Sequence, residues 1–546
     1  MKTLGADSIY TEGALLERAW RNFDRLETDL YDTKGVFQTG AYSWPGDWEG
    51  RALLGLVLLS KTTRRTPRFL YEILNKLPAH LNGNNYFGKI MEKGEVDEQQ
   101  LAGNSWFLRS MCEYYEWTGD AFAYKVIKDI AEKLIIPTKD FYHIYPLSPD
   151  QRNKDGQAMG ELVKDTRNGW HLSTDTGCAF IMLDGATHAL KILKDQALKE
   201  TIEAMIEKFL TADVYALQFQ THATLSATRG LLRFYEVTGD KDVLKSAQKI
   251  FSIYTDNAMT ENFANYNWFQ RPEWTEPCAH IDSYIAAMEL FRFTSETSYL
   301  EIAQKIYFNA LGFGQRNNGG FGVDSCSGIK NEFLKPKNEK LYEAYWCCTM
   351  RGGEGLSRAI GYQYLCDDDG TLLVTGYNSN TVTFETGGGS VTLHQSSRYP
   401  EEGYVLFEVL NSTAQSAQMK LFIPSFVERD KLSLKISGKP VETKLNGSFM
   451  MVEFDPSTDK VIELSFEIPL LTVKTSKNHI SANKYMHGFV LLGAFGQSVG
   501  LGTLDSLKSA GHAMYKNDEG LTLKPVYEAF RLSKEELLET KIQILF

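Results

Sequence analysis

Two short stretches, far apart in the chain, hold residue types that bind metals and attack carbon. "WTEPCAHID" (Trp274 to Asp282) places Glu276 and Cys278 two positions apart, where a helical pattern begins. "YEAYWCCTMRGGEG" (Tyr342 to Gly355) carries the only adjacent cysteines, Cys347 and Cys348, again just before a stretch of helical period. A disulfide between sequence neighbours is strained, and a hydrophobic core has no need of two thiols side by side. Helix N-termini lower a thiol pKa, and a bound metal lowers it further. Three thiolates and one carboxylate at two such termini make a four-ligand zinc site of Glu276, Cys278, Cys347 and Cys348. The separation is far wider than in a zinc finger, so two unrelated pairs of partly buried cysteines form the competing reading.

The elements that must position these residues are helices. Over 1–365, segments such as "DWEGRALLGLVLLSKTT" and "ATLSATRGLLRFYEVTG" repeat apolar residues at three- and four-residue spacing. A weak repeat appears in "MCEYYEWTGDAFAYKVIKDIAEKLI", "LLRFYEVTGDKDVLKSAQKIFSIY" and "LFRFTSETSYLEIAQKIYFNAL", with a looser copy in "HALKILKDQALKETIEAMIEKFL". Each is a helix, a turn near 118, 238, 294 or 194, and a second helix. Gly or a small polar residue ends the first helix and an acid opens the second. Irregularly spaced hairpins with long loops predict a closed (α/α) helical barrel rather than an open solenoid. From Cys366 onward the pattern changes to alternating β-branched strands separated by Gly, Asn, Asp and Pro, the signature of an antiparallel β-sandwich. The expected domains are therefore 1–365 (barrel) and 366–546 (sandwich), with "GFVLLGAFGQSVGL" onward adding strands or packing at the junction.

Composition narrows the function. The 546 residues carry a net charge of −11, without the basic stripe that a nucleic-acid partner requires; "KTTRRTPR" (61–68) reads as a solvated helix end. No apolar leader is visible at the N-terminus. The longest apolar run, "ALLGLVLL" at 52–59, is too short to span a bilayer. A soluble, cytoplasmic protein is expected, with no membrane partner; a monomer or a homo-oligomer fits equally. Seven cysteines, sparse and odd in number, argue against a disulfide framework, and Cys112, Cys178 and Cys366 read as small apolar residues of helices. No phosphate loop, dinucleotide fingerprint or HExxH is present.

The segment "TENFANYNWFQRPEWTEPCAHIDSYIAAMELFRFT" followed by "WCCTMRGGEGLSRAIGYQYLCDDDGTLLVTGY" resembles the cysteine glycosidases of the β-L-arabinofuranosidase family, glycoside hydrolase family 127 and relatives. The resemblance implies an (α/α) barrel followed by β-domains, with zinc on Glu276, Cys278, Cys347 and Cys348. It makes Cys347 the nucleophile and Glu261 of "TENF" the general acid/base, and puts His222 of "THATLSATRG" against the sugar. Three departures stand out: Thr349-Met350-Arg351 follows the cysteine pair in place of Pro-Pro-Asn, Pro277 replaces a threonine, and "GGFGVDS" (319–325) lacks a tyrosine. Read without the family, Glu261 could equally be a solvated loop carboxylate and His222 a satisfied core histidine. Trp48 and Glu49 of "WPGDWEG" are candidates for stacking on a sugar and binding its hydroxyls, or else form a cap with packed tryptophans; "NGWHLSTDTG" and "NSW" are similar.

The expected function is a retaining glycoside hydrolase with a zinc-bound cysteine nucleophile, removing a terminal sugar such as β-L-arabinofuranose from a glycan. A barrel enzyme using carboxylates only (Asp47, Glu49 or Asp175) is the alternative. So is a non-catalytic sugar-binding protein with a structural zinc.

Overall fold

The computed structural model describes residues 1–38, 44–148, 152, 162–328, 332–442, 444–475 and 480–546. Among the described residues, twelve α-helices of nine residues or more build its first part. They are α1 (Gly13–Leu26), α2 (Asp47–Thr63), α3 (Arg68–Lys76), α4 (Glu98–Thr118), α5 (Ala121–Ile130) and α6 (Met182–Leu193), then α7 (Gln196–Leu210), α8 (Thr221–Thr238), α9 (Lys241–Asn257), α10 (Pro277–Thr294), α11 (Thr297–Lys305) and α12 (Cys348–Gly361). The even-numbered helices pack in the order α2–α4–α6–α8–α10–α12, and α12 returns to α2, closing a ring. The odd-numbered helices lie outside, each against the inner helix that precedes it in the chain except α1, which lies against α12 and α2. This is the (α/α) barrel that the hairpin pattern predicts.

The turns form for the reasons the sequence offers. Gly119 and Gly239 end α4 and α8 in the left-handed region at φ 70° and 74°, where a Cβ is costly. Asp120 then accepts from Ala123 N–H, and Asp240 from the N–H groups of Asp242 and Val243, capping α5 and α9. Inner helices are buried on nearly all sides, whereas α1 and α3 bury one stripe only.

Two β-sheets follow, one of six strands and one of seven. All their pairings are antiparallel except Ala417–Phe422 beside Leu372–Val374, which is parallel. The N-terminus belongs here: Lys2–Thr3 pairs with Tyr364–Cys366 and Ile9–Thr11 with Asn380–Thr386. The helical body thus runs from Gly13 to Gly361, and the first eleven residues help to complete both sheets. Cys366, expected on a helix, is half-buried in a strand, because its neighbours Tyr364 and Leu365 bury in sequence rather than at helical spacing. The ambiguous C-terminal stretch forms a third sheet of its own, from Leu470 to Gln543, joined at one edge by Phe333–Leu334. It docks on the barrel through Asn309, whose amide donates to Phe489 O (2.9 Å) and accepts from Leu491 N–H (2.7 Å). Among the described residues no helix is long and apolar enough to cross a membrane.

Candidate active site and metal centre

The two motifs meet at one end of the barrel. Glu276 is the N-cap of α10 with Pro277 at its first position; proline is suited to that position because the missing N–H would be unpaired anyway. Cys347 is the N-cap of α12. Two helix N-termini therefore point at one spot, with Cys278 and Cys348 in their first turns. One ligand atom from each of Glu276, Cys278, Cys347 and Cys348 lies within 4.8 Å of every other. Cys348 Sγ is 3.6 Å from Cys278 Sγ and 3.2 Å from Cys347 Sγ. Sulfurs on one tetrahedral zinc at about 2.3 Å sit about 3.8 Å apart. The four side chains therefore fit a metal ion with small adjustments.

The surroundings favour negative sulfur. Arg51 Nη1 donates to Cys278 Sγ at 3.2 Å. Burial works to raise the Cys278 pKa, but hydrogen bonds from Cys347 and Cys348, together with the charge of Arg51, bring it well below the usual thiol range. With Cys278 ionised, Cys347 and Cys348 are held well above that range, Cys347 mainly by its hydrogen bond to Cys278 and Cys348 mainly by burial. Burial first and the Cys278 charge second also push the Glu276 carboxyl well up. A cation shared by all four would relieve this conflict. Asn267, oriented with its amide nitrogen donating to Glu276 and its oxygen accepting from Trp274 Nε1 (3.0 Å), holds the carboxylate.

Beneath the cluster lies a buried ladder of charges. His222, 2% exposed, stacks on Trp106 with ring centroids 5.5 Å apart. Its Nδ1 donates to Asp282 Oδ2 (2.7 Å), which leaves Nε2 to accept from Arg51 Nη2 (3.4 Å). Asp282 also accepts from Arg229 Nη1 (2.5 Å) and from Arg351, and Glu354 joins Arg229 (2.6 Å), Arg109 (3.0 Å) and Arg351. The departure Thr349-Met350-Arg351 thus points inward. Arg351 lies over Trp106, and Thr349 Oγ1 donates to Glu343 (2.9 Å).

Above the cluster opens a cleft of about 170 Å³. Its walls are Trp44, Trp268, Trp274 and Trp346, and its polar groups include Asp175, Gln220 and His222. Cys278 and Cys348 are buried, while Cys347 is half-buried and lines the cleft. The structure therefore brings Cys347, Cys348, Glu276 and His222 together, with Cys278 behind them.

Other expected site residues lie elsewhere. Glu261 is 1% exposed and ion-paired at 2.6 Å with Lys484 of the third sheet, and it is not among the cleft's lining residues. It is neither a solvated loop acid nor a group facing the cleft. The tight Thr260–Ala264 turn, closed by Thr260 N–H to Ala264 O (3.0 Å), carries its side chain toward the C-terminal module. Trp48 packs on Tyr345 with centroids 6.0 Å apart, and Glu49 sits beside it in the first turn of α2. Burial pushes the Glu49 carboxyl up to about 7. From the same turn it is Trp44 and Asp47 that line the cleft, with Arg51 one turn on, because Trp48 and Glu49 fall on other faces of α2. Asp175, a candidate of the carboxylate-only enzyme and part of the stretch "NGWHLSTDTG", lines the cleft, as do Gln220, Trp268 and Trp274, which carry no motif of their own. The tryptophan-rich loop 267–274 just before Glu276 was the available signal.

The fold is that of an (α/α)-barrel protein with C-terminal β-domains. Residues 371–468 match the family model described as beta-L-arabinofuranosidase, GH127 middle domain. Over its full length the chain superposes on solved structures. One titled "Glycoside hydrolase" has TM-score 0.70 at 13% identity, covering 100% of this chain and 97% of that one. A GH127 β-arabinofuranosidase has TM-score 0.68 at 12% identity, covering 100% and 97%. The GH127 β-L-arabinofuranosidase of Geobacillus stearothermophilus T6 has TM-score 0.69 at 12% identity, covering 98% and 99%. No curated protein matches the chain. The chain resembles the GH127 glycosidases in fold throughout and in sequence across its middle β-domain.

Proposed function

We propose that this chain is a retaining glycoside hydrolase that removes a terminal sugar, of the β-L-arabinofuranose kind, from a glycan, with Cys347 as nucleophile and zinc on Glu276, Cys278, Cys347 and Cys348. The observation that carries the reading is that Cys347 is the one cluster sulfur that is half-buried rather than buried, at the base of a cleft with four tryptophan walls. Indole faces stack on the apolar faces of sugar rings, and four of them line this one cleft. Zinc, when bound, supplies the positive charge that keeps the thiols ionised. Cys347 attacks the anomeric carbon, Gln220 orients hydroxyls, His222 holds Arg51 beside the thiols, and the tryptophans position the sugar ring.

The test is a panel of 4-nitrophenyl furanosides and pyranosides, with metal analysis of the purified protein. The expected result is one zinc per chain, hydrolysis of a furanoside, and Cys347→Ser lowering turnover by at least about 10³-fold while the fold survives. Activity retained in Cys347→Ser points to the carboxylate-only enzyme. Sugar binding without turnover points to the binding protein.

A further inference from the structure

A retaining glycosidase needs a proton donor facing the leaving oxygen, and the expected donor, Glu261, is sealed against Lys484. Three carboxylates line the cleft among the described residues: Glu276, Asp47 and Asp175. Glu276 belongs to the thiol cluster. Asp47 is clamped by Arg51 at 2.8 Å. Asp175 differs from both, having no lysine or arginine within ion-pair distance among the described residues.

We propose that Asp175 is the acid/base of the cleft. This rests on the reading of Cys347 as nucleophile. Asp175 is 6% exposed, accepting from Trp268 Nε1 (3.3 Å) on Oδ1 and from Gln220 Nε2 (3.4 Å) on Oδ2. Its backbone is fixed as well. Asp175 N–H donates to Ser173 Oγ (3.1 Å), its carbonyl accepts from Cys178 N–H (3.1 Å), and the next carbonyl, Thr176 O, accepts from Gln220 N–H (3.1 Å). The carboxyl is thus tied to the N-terminus of α8, which also carries His222, and to the tryptophan wall. Burial, its largest influence, pushes it up to about 6, so near neutrality it can hold a proton and also release one.

In the first step the bond from Cys347 Sγ to the anomeric carbon forms as the glycosidic C–O bond breaks, and the Asp175 proton passes to the departing oxygen. In the second, the Asp175 carboxylate takes a proton from water, whose oxygen bonds to the anomeric carbon as the C–S bond breaks. Cys347 leaves as thiolate and Asp175 is again protonated.

The test is Asp175→Asn assayed on glycosides with good and poor leaving groups. For a poor leaving group such as an alkyl alcohol, kcat/KM should fall by about 10²–10⁴-fold. For dinitrophenyl, which needs no proton, the fall should be under about tenfold. Added azide should restore turnover and yield a glycosyl azide of retained configuration, and the alkaline limb of the pH–rate profile near 6 should vanish. Asp175→Ala with the same azide rescue covers a disturbed loop in the Asn variant. Equal loss for all leaving groups beside an inactive Cys347→Ser overturns this assignment alone. So does a leaving-group dependence that appears in Glu261→Gln instead. Activity surviving in Cys347→Ser overturns the parent reading, and this one with it.

Discussion

At Asp175 a buried carboxylate sits with no lysine or arginine at ion-pair distance among the described residues, and this has a consequence for stability. Its folded pKa is about 6, against about 3.9 in an unfolded chain. The native state therefore holds the proton more tightly, and stability falls as pH rises from about 4 through 6, by up to roughly 3 kcal/mol. Asp175→Asn, neutral throughout, should match wild type in thermal unfolding at pH 4 and exceed it by several degrees at pH 8. A difference that does not grow with pH would remove the buried-acid description. The cysteines were legible as a cluster because sulfur is rare and adjacency is costly. Glu261 was legible only by resemblance, and its true partner, Lys484, lies 223 positions away. The residues at 349–351, conspicuous as departures, turn out to face the core, where Arg351 is fully buried among Asp282, Glu354 and Trp106.

The element that matters most is α12, whose N-terminus carries both adjacent thiols. Its run "GGEG" looks unhelical, since glycine weakens a helix interior. The packing explains it: a Cβ on Gly353 would come within 2.9 Å of Gly55 Cα in α2, and one on Gly352 within 2.2 Å of the Phe321 ring. The inner ring closes by backbone approach at this joint. Gly353→Ala should cost about 1–3 kcal/mol by overpacking, read as a lower midpoint in chemical denaturation. Because the α2–α12 joint sets the distance between Arg51 and the cysteines, the same variant should bind zinc more weakly. Unchanged stability would mean the helices separate freely. The turns at 118 and 238 were readable because Gly–Asp chemistry is local, and those at 194 and 294 because an acid, Asp195 or Glu296, opens the following helix. Ring closure was not, since no local signal says that α12 must meet α2.

On the scale of the whole molecule, the third sheet is tied to the barrel by Lys484 and Glu261, both nearly fully buried. Removing one partner leaves an uncompensated buried charge, which typically costs about 3–5 kcal/mol. Lys484→Met should therefore destabilise strongly, and adding Glu261→Gln should recover much of the loss. Additive losses in that cycle would refute a coupled pair. The chain's last residues, Ile544 to Phe546, are fully buried, so this module is part of the common structure and not an appendage.

The sequence by itself determined the helical hairpins and the change to strands near residue 366, and it singled out Glu276, Cys278, Cys347 and Cys348 while leaving two unrelated pairs as the competing reading. All of these are written in local periodicity, turn chemistry or rare residue types. Only the tertiary structure decided that the first eleven residues complete the two sheets, that Cys347 is the half-buried sulfur of the cluster, and that Asp175 lines the cleft while Glu261 does not. Those outcomes depend on which distant surfaces meet. A carboxylate carries no mark in sequence of whether it will face a lysine, an arginine or a cleft.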